Sequence, residues 1–137
     1  MASNSISTTG EADGDSADQT ALRILVVEDD PDALATAQEM LQALGHWTAG
    51  VKSAEVARDR FIEGAFDVLM TDIGLPALSG IDLVEILQAN HKLRVIFATG
   101  QARPAEPMPD TIWLQKPFGF EELAEALRGI QPEPTRR

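Results

Sequence analysis

Short aliphatic runs and helical repeats of apolar residues alternate along most of this chain. The run Ile24–Val27 is typical of a strand buried on both faces of a sheet. Apolar residues then recur at steps of three and four from Leu34 to Leu44, which predicts a helix with Asp30 as its N-cap and Pro31 as its first residue. A strand followed by a helix is therefore the first unit of the pattern.

The same alternation continues toward the C-terminus. Further strands are predicted at 47–51, 66–70, 94–97 and 112–114. Helices are predicted from the N-cap Ser53 to Gly64, over 81–89, and along the apolar stripe of Phe120, Leu123, Leu127 and Ile130. Because parallel strands need crossovers, which helices supply, this order predicts an α/β fold with a five-stranded parallel sheet that carries helices on both faces.

Prolines interrupt the segment between the fourth and fifth predicted strands. Pro104, Pro107 and Pro109 fall within a span of ten residues between Gly100 and Trp113. A proline inside a helix costs about 3 kcal/mol, through a lost hydrogen bond and a steric clash. The helix that the alternation would place between the fourth and fifth strands, the fourth in order, is therefore predicted to be shortened, displaced or missing.

The two ends of the chain differ in composition from its middle. Apart from Met1, residues 1–20 contain a single large apolar residue, Ile6, and they are predicted to be a disordered acidic leader. One folded domain is predicted over 21–131, with a flexible tail at 132–137. No stretch approaches the roughly 18 to 20 apolar residues of a membrane span, and the N-terminus lacks a signal-peptide pattern. The expected location is the cytoplasm, without membrane contact.

Composition narrows the chemistry that the domain can perform. The formal net charge is −11, and no Lys or Arg stripe is present, so direct binding to nucleic acid is not expected. The chain has no cysteine, which excludes disulfides, thiolate metal sites and thiol nucleophiles. The two histidines, His46 and His91, have no partner placed by the sequence and are predicted to lie on the surface.

Polar residues follow the carboxyl ends of four predicted strands. Glu28 and Asp29 end the first strand, Asp72 the third and Thr99 the fourth, and Lys116 follows the fifth by two residues. Since these strand ends lie side by side, the five residues are expected to converge on one cleft. Carboxylates 4 Å apart repel by about 4 kcal/mol per pair at an effective dielectric near 20, so a divalent cation, best Mg²⁺, is expected beside the lysine.

Such a cleft suits phosphoryl transfer to a carboxylate, with the cations and a threonine hydroxyl stabilising the phosphoryl oxygens. From about Leu22 to Ile130 the chain resembles the response-regulator receiver (CheY-like) family of two-component signalling systems. The residues that carry the resemblance are Ile24-Leu25-Val26-Val27-Glu28-Asp29-Asp30, Met70-Thr71-Asp72, Pro76, Gly80, Ala98-Thr99-Gly100 and Lys116-Pro117-Phe118.

The resemblance implies a flavodoxin-like, doubly wound (βα)5 fold and a role for each residue of the cleft. Asp72 corresponds to the phosphoacceptor, Asp29 to a direct metal ligand, Glu28 to an acid that reaches the metal through water, Gly74 to the donor of a backbone carbonyl, Thr99 to the switch hydroxyl and Lys116 to the phosphate-binding lysine. Lys116-Pro117 resembles the family's cis peptide. Trp113 corresponds to an aromatic switch residue, although packing is an equally good interpretation.

The implied function is a phosphoryl-accepting receiver in a phosphorelay. It would take a phosphoryl group from phosphohistidine on a histidine kinase or histidine phosphotransfer protein, and signal by a conformational change to a further protein. It would not be an enzyme, although it would assist its own phosphoryl transfer and dephosphorylation. Two alternatives are a phosphorylation-independent interaction module on the same fold and a flavin-binding flavodoxin-like protein. The cluster of carboxylates argues against the second, because it would repel a flavin phosphate.

Overall fold

A computed structural model of the chain describes residues 21–63 and 66–130. The predicted leader at 1–20, the predicted tail at 132–137 and the predicted helix end at Gly64 lie outside these residues. Among the helices described, none is long and apolar enough to cross a membrane.

Five parallel strands form one sheet in the order β2-β1-β3-β4-β5. This order confirms the predicted doubly wound α/β fold. β3 begins two residues later than predicted and extends through Thr71. The strands are β1 Arg23–Val27, β2 Trp47–Val51, β3 Val68–Thr71, β4 Arg94–Thr99 and β5 Thr111–Gln115.

Four helices connect or follow these strands, and three of them have a side-chain N-cap. The side chains of Asp30, Ser53 and Ser79 accept backbone hydrogen bonds of 3.0, 3.2 and 3.1 Å in the first turns. The first two of these caps were predicted from the sequence. The helices are α1 Pro31–Ala43, α2 Ala54–Glu63, α3 Gly80–Gln88 and α4 Phe120–Leu127.

The helices cover the sheet on both faces. α2 and α3 pack on one face, against Leu25, Leu69 and Phe97, and α1 and α4 pack on the other, against Val26 and Ile96. The predicted stripe of α4 is wrong at one position. Phe120 is 45% exposed, because it is the first residue of the helix and lies outside the buried row of Leu123, Leu127 and Ile130.

No helix connects β4 to β5, although every residue of that connection is described. The predicted loss of the fourth helix is therefore confirmed. The end of the loop is tied to the body of the domain, since the Gln88 side chain donates to the Pro109 carbonyl at 2.9 Å and the Val95 amide to the Asp110 carbonyl at 3.1 Å. Phe97 is nevertheless only 1% exposed.

One predicted surface residue has a structural partner. The His46 Nδ1 atom accepts a hydrogen bond of 3.0 Å from the Leu22 amide, and burial lowers the pKa of the imidazole. The sequence offered no sign of this contact because the two residues are far apart along the chain. His91 is exposed, as predicted, with its ring 5.4 Å from that of Phe61.

Candidate functional site

Three carboxylates meet at the carboxyl ends of two neighbouring strands. Glu28 and Asp29 directly follow β1, and Asp72 directly follows β3. β1 and β3 pair in parallel with Val27 opposite Thr71, which brings the three residues side by side. One oxygen from each carboxylate lies within 4.8 Å of the other two. The structure therefore brings together the three acids on which the predicted metal site depends.

The two acids that follow β1 have different surroundings. Glu28 is only 7% exposed, and its carboxylate accepts hydrogen bonds from the Lys116 ammonium at 2.8 Å and from the Asp30 amide at 3.1 Å. Asp29 is exposed, and its carboxylate accepts no hydrogen bond from the described residues. Asp29 can therefore offer its oxygens to a cation, whereas both oxygens of Glu28 are already engaged.

The Asp72 side chain is held by bonds to both of its oxygens. Its Oδ1 atom accepts from the Ile73 amide at 2.7 Å and more weakly from the Gly74 amide at 3.4 Å. Its Oδ2 atom accepts from the Lys116 ammonium at 3.2 Å. Its side chain retains 18% exposure, so the carboxylate is oriented by the protein and still accessible to a ligand.

Thr71 and Gly80 hold the backbone of Asp72. The fully buried Thr71 hydroxyl donates to the Asp72 carbonyl at 2.8 Å. A Cβ atom added to Gly80 would lie 2.0 Å from the same carbonyl oxygen, so only glycine allows this approach. The sequence analysis gave the Thr71 side chain no role. The available signal was a hydroxyl directly after a buried strand, where it needs a hydrogen-bond partner.

Lys116 joins two of the carboxylates and remains charged. Burial by itself lowers the pKa of this ammonium, but its hydrogen bonds to Glu28 and Asp72 and their Coulombic attraction outweigh burial and raise the pKa. The lysine amide also donates to the Thr99 carbonyl at 2.8 Å. The side chain thus lies in the cleft, in the charge state that the predicted role requires.

Thr99 and Trp113 both form side-chain hydrogen bonds to the backbone of Gln101. The buried Thr99 hydroxyl accepts a hydrogen bond of 3.3 Å from the Gln101 amide. The Trp113 indole donates to the Gln101 carbonyl at 2.9 Å, and its ring lies 5.7 Å from that of Phe97. Gln101 was not singled out from the sequence, because only its backbone takes part.

Two further predicted features lie at the rim of the cleft. The Lys116–Pro117 peptide bond is cis, as the resemblance implied. Gly74 is exposed and directs its amide toward Asp72, while the metal-binding role of its carbonyl stays a prediction.

The donor set fits a hard divalent cation. Three carboxylates and one ammonium leave two negative charges in a partly buried cluster, which a divalent ion would neutralise. Carboxylate oxygens with room for water are the ligands that Mg²⁺ prefers. The residues therefore fit Mg²⁺, and Asp29, which is exposed and accepts no hydrogen bond from the described residues, has the freest carboxylate of the three.

The family follows from a comparison with known proteins. A family model described as the response regulator receiver domain matches residues 24–128. This chain belongs to that family. Receiver domains are signalling domains of two-component systems, and the matched range holds every residue of the cleft.

Individual relatives agree with this membership. The response regulator receiver protein CpdR of Brucella abortus is 31% identical over 111 residues, which are 77% of this chain and 92% of that protein. The transcriptional regulatory protein CpxR of Escherichia coli strain K12 is 27% identical over 79% of this chain. The chain spans 48% of CpxR and 15% of a gliding motility regulatory protein of Myxococcus xanthus, which is 29% identical to it over 77% of the chain.

Solved structures show the same fold. The chemotaxis response regulator CheY4 of Vibrio cholerae superposes with a TM-score of 0.75 at 22% identity, covering 82% of this chain and all of that one. The response regulator TrrA of Thermotoga maritima, solved in complex with Mg²⁺-BeF, has a TM-score of 0.72 at 28% identity. The match covers 80% of this chain and 99% of the TrrA chain.

Proposed function

We propose that this receiver domain accepts a phosphoryl group on Asp72 from a phosphohistidine of a partner protein. An oxygen of the Asp72 carboxylate forms the new bond to phosphorus while the bond from phosphorus to the imidazole nitrogen breaks, and that nitrogen keeps the electron pair. The observation that carries the proposal is the cluster of three carboxylates, two of which pair with Lys116. Asp72 accepts hydrogen bonds at both oxygens and is still accessible.

The neighbouring groups have roles that follow from their positions. The Lys116 ammonium, now 3.2 Å from Asp72, would move onto a phosphoryl oxygen and offset its charge. The Thr99 hydroxyl, whose hydrogen is not donated to any described residue, would donate to a second oxygen. When bound by Asp29, Asp72, the Gly74 carbonyl and, through water, Glu28, Mg²⁺ would supply the remaining positive charge.

The named relatives support the wider setting of this reaction. Response regulators of this family include receiver proteins and transcriptional regulators, and the Thermotoga structure carries Mg²⁺-BeF. We infer that the phosphoryl donor is a histidine kinase or histidine phosphotransfer protein in the cytoplasm. The domain would act as a signalling element rather than as an enzyme on a separate substrate.

The decisive experiment compares Asp72→Asn with the unchanged protein. Both are incubated with acetyl phosphate and Mg²⁺ and measured by intact mass spectrometry, with Asp82→Asn as a matched control because Asp82 is an exposed helix residue. The unchanged protein and Asp82→Asn should each gain one phosphoryl group that hydroxylamine removes, and Asp72→Asn none. Equal labelling of all three proteins would exclude Asp72 as the acceptor.

A second candidate function is a phosphorylation-independent interaction module. The missing helix between β4 and β5 favours it, because this connection then presents a loop where a helix is expected. The two functions differ in their response to Mg²⁺ with beryllofluoride. Amide shifts spreading from Asp72 to Gln101 and Trp113 would support phosphoryl signalling, and an unchanged spectrum would support the fixed module.

A further inference from the structure

An apolar groove opens beside the phosphoacceptor cleft. It encloses about 390 Å³ between α1, the sheet and the loop that leads from β5 to α4. Met70 and Ala98 form its floor, Ala33 and Ala37 line the side of α1, and Phe118 lines the opposite side. Its volume falls in the range of about 300–1,000 Å³ found for small-molecule sites.

Small side chains keep this groove open. Ala33 and Ala37 lie one turn apart on the face of α1 that is turned to the sheet, and Ala98 lies below them on β4. A larger residue at any of the three positions would project into the space. The opening therefore follows from these alanines, and a single substitution can fill it.

Four of the residues that line the groove are charged. Three of them, Glu28, Asp72 and Lys116, also form the phosphoacceptor cleft, and the lysine is paired with both carboxylates. Asp32 also borders the groove, and its carboxylate has no hydrogen bond or ion pair with any described residue. If Mg²⁺ and Lys116 neutralise the three acids of the cleft, the Asp32 charge is the one left over at the mouth.

We propose that this groove binds a small amphipathic cation, a molecule with an apolar body and one terminal ammonium group. The apolar body would lie between α1 and Phe118, against the apolar side chains of Ala33, Ala37 and Met70. The ammonium would lie beside Asp32, which supplies the unmatched negative charge. This binding site shares Glu28, Asp72 and Lys116 with the phosphoacceptor cleft. Its charge preference rests on the Mg²⁺ site proposed above, but not on transfer of a phosphoryl group.

Occupation of the groove would also affect phosphorylation. A bound ligand would lie against Glu28 and Lys116, which border both the groove and the phosphoacceptor cleft. It would restrict the movement of the lysine toward a phosphoryl group. The ligand is therefore expected to slow labelling of Asp72 without competing for Mg²⁺.

The test uses three probes with the same apolar body and different charge. 4-Phenylbutylamine, 4-phenylbutan-1-ol and 4-phenylbutanoate are each titrated into the full chain with Mg²⁺, and amide shifts are followed by NMR. The amine should bind most tightly and the carboxylate most weakly, with the largest shifts at Ala33, Ala37 and Ala98. Equal affinities for the three probes, shifts at other residues, or no shifts would overturn the proposal.

Two substitutions and one control substitution separate the parts of the site. Ala33→Leu should fill the groove and abolish binding of the amine, while Ala35→Leu, an exposed position on the same helix that does not line the groove, should leave binding unchanged. Asp32→Asn should reduce the preference for the amine over the alcohol by about two- to five-fold, the range of one partly exposed ion pair. A preference that survives Asp32→Asn in full would refute the role of the carboxylate.

The remaining outcomes are equally informative. Shifts at the groove residues that depend on protein concentration and occur without any probe would mean that a second copy occupies the groove, which contradicts the proposal. Since the titration needs no phosphoryl transfer, it can succeed even if Asp72 proves not to be the acceptor. Conversely, Asp72 can be labelled in a protein that binds none of the three probes.

Discussion

Gly80→Ala is the substitution with the sharpest structural consequence for Asp72, the proposed phosphoacceptor. Gly80 begins α3 and donates its amide to the Ile73 carbonyl at 3.0 Å. A Cβ atom at this position would lie 2.0 Å from the backbone carbonyl oxygen of Asp72, 2.9 Å from the carbon of the same carbonyl and 3.0 Å from the Ile73 Cα atom. All three are backbone atoms, so no change of side-chain rotamer can relieve the overlap.

The cost can be estimated from two opposing effects. Overpacking of a rigid site costs about 1–3 kcal/mol. Alanine is a better helix former than glycine by about 1 kcal/mol in a helix interior, and by less at the first helical residue. We therefore expect Gly80→Ala to lower the free energy of unfolding by roughly 2 kcal/mol. It should also slow phosphorylation, because the Asp72–Ile73 peptide must move and the hydrogen bond from Ile73 to the carboxylate moves with it.

Urea denaturation measures the first effect, and labelling with acetyl phosphate measures the second. Gly100→Ala is the matched control, because nothing lies within 4 Å of its added Cβ and its φ is not in the left-handed region. Its stability should stay within about 1 kcal/mol of the unchanged protein. If Gly80→Ala unfolds at the same urea concentration and is labelled at the same rate as the unchanged protein, the close approach to Asp72 is not rigid and the reasoning is refuted.

Three further substitutions test other contacts of the domain. Lys116→Met removes the cation beside the buried Glu28 carboxylate, so the free energy of unfolding, measured by urea denaturation in Mg²⁺-free buffer, should fall by about 1–3 kcal/mol. Addition of Mg²⁺ should restore part of this loss, and an unchanged urea midpoint would contradict the ion pair. Burial lowers the pKa of His46 from 6.5 in the folded protein, so the unfolded chain takes up a proton first and the stability should fall as the pH drops below 6.5. The His46→Gln variant should lack this part of the decline, and parallel plots of stability against pH for the two proteins would contradict the burial of His46. Trp113→Phe keeps one aromatic ring but loses the indole N–H and its hydrogen bond to the Gln101 carbonyl. It should lower the free energy of unfolding by at least about 0.5–1.5 kcal/mol in thermal or urea unfolding, and an unchanged stability would contradict a stabilising role of this bond.

The fold and the charged cleft could be predicted because both follow from short-range patterns. Ile24–Val27 identifies a buried strand from its own composition, and the polar residues after it must lie at the end of that strand. Since parallel strands end at the same edge, Asp72 and Lys116 then fall beside Glu28 without any knowledge of distances. Alternation of strands and helices was enough to bring the cleft together.

Contacts that join distant parts of the chain could not be predicted in the same way. The hydrogen bond between His46 and the Leu22 amide depends on how close the turn after α1 lies to the residue before β1. Neither a histidine nor a leucine at these positions indicates that contact in the sequence. The hydroxyl of Thr71 has a partner only because Gly80 allows the Asp72 carbonyl to lie where it does. The exposure of Phe120 depends on the exact phase of α4 at its first residue. Each of these needs coordinates rather than periodicity.

The absence of a helix between β4 and β5 affects the free energy needed to turn the Trp113 side chain outward. Trp113 and Met108 pack against the core cluster that contains Phe97, and they cover this face of the sheet where no helix does. Packing and switching, the two roles that the sequence left open for Trp113, therefore act on the same ring. Turning it outward would break the bond to Gln101, worth about 0.5–1.5 kcal/mol, and would uncover Phe97, which is now 1% exposed. If Asp72 accepts a phosphoryl group as proposed, movement of the Thr99 hydroxyl toward that group would release the Gln101 amide and weaken the hold of the Gln101 backbone on the indole, which offsets part of this cost.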